Sequence, residues 1–180
     1  QDDLLDSAED MEGVEMFFKA QRTVFDDAKK RLASILKERD YFAADADTLN
    51  VISTMSTILA MPKPYSRIGE LPELVQKVKT AYNSLLDMKR EEVAENIRQC
   101  MQDVHQLASE ARDAGALLRQ ADDHFVNKRE AAKTATSLTE LDAMITQLLN
   151  YKDTVCRRME VMSASRQQEA QKPTPAATAK

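Results

Sequence analysis

Apolar residues recur at three- and four-residue intervals along almost the whole chain, the signature of helices that each bury one stripe. The first pattern runs from about Ser7 to Tyr41, through Val14, Phe17, Phe18, Val24, Phe25, Ala28, Leu32 and Ile35. Ser7 suits its N-cap, and Gly13 weakens its start. A second helix is predicted from Asp45 to Ala60, capped by Asp45 or Asp47, with Leu49, Ile52, Met55 and Ile58 as its stripe. Its other residues are mostly Ser and Thr rather than long charges, which predicts cover on more than one side.

Residues 62–71 interrupt the helical pattern. Pro62, Pro64 and Gly69 predict an extended, turning connector that acts as a hinge, and Pro72 suits the first turn of the helix that follows. Tyr65 and Arg67 are its candidate partner-binding residues, although Tyr65 and Ile68 serve more simply as cover over the junction of two helices. From Pro72 no breaker occurs until about Thr134, and a single helix of that span would be about 95 Å long. The seam falters at Lys89 and near Gly115, where a bend or register shift is expected.

Ser137-Leu138-Thr139-Glu140 reads as a capping box opening a last helix, Ser137–Ser165. That helix carries the cleanest heptad in the chain, with Leu141, Ile145, Leu148 and Val155 on its seam and Lys152 as the one polar member. The short turn before it predicts that it folds back on 108–134. The expected fold is therefore all-α: an elongated helical bundle with a long antiparallel coiled-coil hairpin. By segment it divides into a helical pair (1–61), the proline-rich connector (62–71), the long helix and hairpin (72–168) and a disordered tail (169–180).

Composition agrees with this reading and narrows the chemistry. Only 3 glycines and 5 prolines occur in 180 residues, far short of the turn punctuation that a sheet protein needs. No loop of the GxxxxGK[ST], GxGxxG or GxSxG kind can be built from Gly13, Gly69 and Gly115, so no nucleotide site or nucleophile elbow is expected. Neither His105 nor His124 has a glutamate three residues before it, so an inward-facing Glu-x-x-His pair is missing. Asp122, Asp123 and His124 are better read as a solvated face than as a cation site. Cys100 and Cys156 lie beside seam residues and read as packing thiols in a reducing, cytosolic setting. No catalytic residue, cofactor, metal or small-molecule substrate is expected.

Charge is unevenly placed. Residues 1–15 hold seven acids and no base, while the remaining 165 carry 25 bases against 23 acids. The bases are interleaved with acids, so nucleic-acid contact is not favoured. No apolar run approaches the length of a membrane span. A chain opening on Gln1 reads as a piece of a longer or processed protein.

The segment Ile58-Leu59-Ala60-Met61-Pro62-Lys63-Pro64-Tyr65-Ser66-Arg67-Ile68-Gly69-Glu70-Leu71-Pro72-Glu73-Leu74 resembles the hinge between helices in the large P-loop ATPase of BREX phage-defence systems, the BrxC or PglY family. Phe17-Phe18-Lys19-Ala20-Gln21 followed by Val24-Phe25-Asp26 is similar to the same family's helical C-terminal half, so the resemblance spans Val14 to Leu107. It implies a bacterial, cytoplasmic ATPase as the parent, with its phosphate loop upstream of Gln1. This part would then be a non-catalytic module that contacts other proteins of the defence complex or associates with itself. A stand-alone coiled-coil scaffold unrelated to an ATPase is the alternative.

Overall fold

A computed structural model describes the backbone of residues 2–111 and 113–171, and the side chains of 11–64, 66–111 and 113–163. Within them there are five α-helices and no strand: α1 (Asp2–Leu36), α2 (Ala46–Leu59), α3 (Leu71–Glu110), α4 (Gly115–Thr134) and α5 (Leu138–Gln171). Short 3-10 turns occupy Arg39–Phe42, Pro64–Ser66 and Ile68–Glu70. The all-α class follows from the sequence pattern as expected. The contacts group into two units, Gln1–Leu85 and Leu86–Lys180, so the division falls inside α3 and the proline-rich connector lies within the first unit.

In the first unit α1 starts at Asp2 rather than Ser7 and runs through Gly13 without a break. Ser7 is thus an interior helical residue and not a cap. Ala28, Leu32 and Ile35 of α1 are buried against Ile52, Met55 and Ile58 of α2 and Leu71 and Val78 of α3. Phe42, in the turn that follows α1, is fully buried in the same cluster, and its ring lies 6.3 Å from that of Tyr82. The Tyr82 hydroxyl in turn donates to Glu38 Oε1 at 2.8 Å.

The cap of α2 is Asp45, which accepts from the Thr48 backbone N–H at 3.1 Å and from its hydroxyl at 2.5 Å. These two bonds hold the Asp45 carboxyl below its usual range. Cover of α2 extends past its buried stripe to Leu49, Val51, Thr54, Ser56 and Leu59, which are half-covered, and leaves open the face that carries Asn50, Ser53 and Thr57. Its hydroxyls satisfy themselves one turn back, Thr54 on Asn50 O, Ser56 on Ile52 O and Thr57 on Ser53 O. The connector is coiled into two 3-10 turns rather than extended, with Pro64 in the first turn, where its missing N–H costs nothing.

The second unit corrects the single long helix. The helix from Leu71 ends at Glu110, and α4 begins at Gly115 after the link Ala111–Ala114. His105 Nε2 and Asp122 Oδ1 lie 2.8 Å apart, although seventeen residues of straight helix would separate their backbones by about 25 Å. The chain therefore reverses here. A second reversal at Ala135–Ser137 makes α4 and α5 antiparallel neighbours, and Lys128 Nζ of α4 meets Gln147 Oε1 of α5 at 3.1 Å. Ser137 caps α5 by accepting from the Glu140 N–H at 3.1 Å.

Two ion pairs set α5 beside α3 in the same direction, Lys89–Asp142 at 3.0 Å and Lys152–Asp103 at 2.9 Å. The unit is thus an up-down-up bundle of three helices, not a two-helix hairpin formed with one long helix. Leu141, Leu148 and Val155 are buried in it and Ile145 half-buried, together with Val93, Ile97 and Val104 of α3 and Ala121 and Phe125 of α4. The tail expected over 169–180 is helical as far as Gln171, and residues 172–180 lie outside the described residues.

Candidate interaction surface

The apolar stripe of α1 outruns the core that covers it. With 35 residues α1 is about 53 Å long, whereas the 14-residue α2 spans about 21 Å. Ala28, Leu32 and Ile35 therefore lie under α2, and Val24 and Phe25 are half-covered. Met11, Val14, Met16, Phe17 and Phe18 remain 52–68% exposed. The expectation of a single buried stripe fails over this stretch. The Phe17 and Phe18 rings contact each other edge to face with centroids 6.0 Å apart.

Phe18 continues into a groove of about 300 Å³ that it lines with Gln21, Arg22, Phe25, Pro64 and Ile68. The connector thus forms one wall of this groove through Pro64, and Ile68 anchors that wall with its own side chain 6% exposed. Arg67 does not stand out from the wall. Its guanidinium donates to Glu70 Oε2 at 2.8 Å, a bond that raises the Arg67 pKa and lowers that of Glu70. The Tyr65 side chain lies outside the described residues. Pro62 follows the end of α2, Pro72 sits in the first turn of α3, and Gly69 has ordinary backbone angles with open space where a Cβ would project. Sequence reasoning placed the contact residues in the connector. The exposed half of α1 was missed because a 3.6-residue period marks a face to be covered without saying what covers it.

A second apolar surface belongs to the other unit. Leu117, Val161 and Met162 line an open groove of about 480 Å³ together with Arg157 and Arg158, and Val161 is 65% exposed. A third cavity, of about 440 Å³, is lined by Asp27, Lys30, Arg31, Ser34, Val75, Gln76 and Lys79 and presents mainly long charged side chains to solvent.

No group of three His, Cys, Asp or Glu side chains converges on a metal position among the described residues. Asp122 is paired with His105, whereas His124 stacks on Tyr151 with ring centroids 3.7 Å apart, so the three consecutive residues Asp122, Asp123 and His124 do not act together. Burial raises the thiol pKa of both Cys100 and Cys156 and disfavours the thiolate. Among the described residues no helix is long and apolar enough to cross a membrane.

Residues 1–39 match the family model described as the BREX ATP-binding protein BrxC alpha helical domain. This stretch is therefore similar to a BrxC-type helical region. It contains Phe17–Asp26, one of the two segments that carry the resemblance, while Ile58–Leu74 lies outside it. No solved structure matches the chain.

Proposed function

We propose that this chain is a non-catalytic helical contact module of a BREX-type ATP-binding protein in the bacterial cytoplasm, and that it holds other proteins of the defence complex through α1. The observation that carries this reading is the coincidence of two features on one stretch. Residues 1–39 match the helical domain of that family, and the same stretch leaves Met11, Val14, Met16, Phe17 and Phe18 uncovered. Fully burying one such side chain contributes about 1.5–3 kcal/mol. Association costs roughly 4–15 kcal/mol in lost freedom, so a partner must cover most of the stripe, not one ring. A helix or groove that engages several turns of α1 meets that requirement.

Placing a photo-crosslinking residue at Phe17 tests the reading. Crosslinks to companion proteins of the defence complex are expected, and they should vanish with Val14→Asp. Labelling by solvent alone in the assembled complex would overturn it.

A further inference from the structure

We infer that the cavity between α1 and the first turns of α3 is a site for a small phosphate-bearing ligand, held by Lys30, Arg31 and Lys79. The inference is independent of the apolar stripe of α1. Asp27, Lys30, Arg31 and Ser34 stand at i, i+3, i+4 and i+7 and so share one face of that helix. Val75, Gln76 and Lys79 of α3 form the facing wall, and the two walls enclose about 440 Å³. Small-molecule sites occupy roughly 300–1,000 Å³. The three bases come from two helices distant in the chain. Along the sequence they are diluted by acids, and only the packing of α1 on α3 collects them.

Their pairing differs from that of other cations on the helices. Asp27 stands at the two spacings that favour a helical ion pair, i+3 to Lys30 and i+4 to Arg31, yet it closes with neither. Among the described residues Lys79 has no carboxylate partner either. At the same spacings Glu73–Lys77, Lys89–Glu92 and Glu130–Lys133 do pair. Three unpaired cations around one concavity repel one another and focus a positive field into it. Asp27 is the one acid of the lining, so three positive charges against one negative leave an excess of two. A phosphate monoester carries about −1.5 to −2 at pH 7, which matches that excess.

The donors suit the same group. Arg31 is half-buried, and its planar fork can hold two phosphate oxygens at once. Ser34 brings a hydroxyl, and Gln76, whose amide has two N–H groups, uses one of them on Thr80 Oγ1 at 3.4 Å. No aromatic ring lines the cavity, so a nucleobase has nothing to stack on and the phosphate is what is recognised.

Isothermal titration calorimetry of the full chain with inorganic pyrophosphate, adenosine monophosphate and adenosine tests this. Saturable one-to-one binding is expected for the first two and none for adenosine. Salt should weaken it, because the Debye length falls from about 10 Å at 0.1 M to about 3 Å at 1 M. Lys30→Gln with Lys79→Gln should weaken binding about tenfold or more by removing two charge-assisted contacts. Lys29→Gln with Lys63→Gln removes the same charge outside the cavity and should leave binding unchanged. All four lysines are exposed, so circular dichroism should report the same helix content in both variants. The inference is overturned if pyrophosphate shows no saturable binding, or if the two double variants lose binding equally. Adenosine binding as tightly as its monophosphate overturns it as well. So does a short DNA duplex that binds and is not displaced by pyrophosphate, which would make these bases part of a nucleic-acid face.

Discussion

The Lys152 ammonium of α5 lies 2.9 Å from Asp103 Oδ2 of α3, at the one polar position of an otherwise apolar heptad. The pair is half-sheltered, with side chains 26% and 34% exposed, and Gln99 also donates to Asp103 at 3.1 Å. The hydrogen bond from Lys152 holds the Asp103 carboxyl below its usual range, and its counterpart raises the Lys152 pKa. A polar residue inside a seam trades stability for a defined register. Asp103 on α3 supplies the match that only one alignment of α5 can reach.

Asp103→Ala should therefore destabilise the chain by about 1 kcal/mol, at the upper end for a partly exposed pair, because it leaves the Lys152 cation in a sheltered place. Lys152→Met should be neutral or slightly stabilising, since it replaces a desolvated pair member by an apolar side chain of similar length. Urea unfolding midpoints of both variants check this. A larger loss for Lys152→Met than for Asp103→Ala would remove the register role.

The heptad of α5 and its Ser137 cap were legible because both are local: a 3-4 spacing and a hydroxyl three residues before a glutamate. The link Ala111–Ala114 was not. Ala111 and Ala114 favour helix intrinsically, and Gly115 alone hints at a stop, so local propensity argues for continuation. Packing overrides it, since Ala111 and Ala114 are buried at 6% and 1% where the chain reverses. Phe42 escaped notice for a related reason: it follows the end of α1 and belongs to no periodic run. At α1 the pattern named the apolar positions correctly, but which half of them the unit covers depends on the length of α2.

Leu148 is fully buried among three helices, whereas Ile145, one seam step earlier, is only half-buried. Leu148→Ala should cost about 3–5 kcal/mol, because surrounding helices on both sides resist collapse into the cavity. Ile145→Ala should cost roughly 1–2 kcal/mol, since its site is open enough to relax. Denaturant titration separates the two, and equal losses would contradict the enclosure of the seam by α3 and α4.

Gly69 should be replaceable. Its backbone is not in the left-handed region, and nothing lies within 4 Å of a Cβ built on it. Gly69→Ala should stabilise the chain by about 0.4–1 kcal/mol by narrowing the unfolded ensemble. Thermal melting gives the sign. A loss would mean that the connector must flex at Gly69, the hinge behaviour suggested by its sequence.

Protonation of His124 should weaken the second unit. Its ring stacks on Tyr151 at 3.7 Å and meets Phe125 edge to face, and burial, aided by the Lys128 charge, lowers its pKa below the ordinary value near 6.5. The folded state therefore binds the proton more weakly than the unfolded state. Stability from this group is complete above pH ~6.5 and falls as the pH drops through that value, levelling off below the folded-state pKa. The other histidine, His105, lies 2.8 Å from Asp122 and does not stack on an aromatic ring. His124→Gln should flatten the part of the pH–stability curve just below pH 6.5. Unfolding free energies between pH 5 and 8 decide this. A wild-type slope that survives His124→Gln would assign the pH dependence to another group and leave the stacked imidazole a purely apolar role.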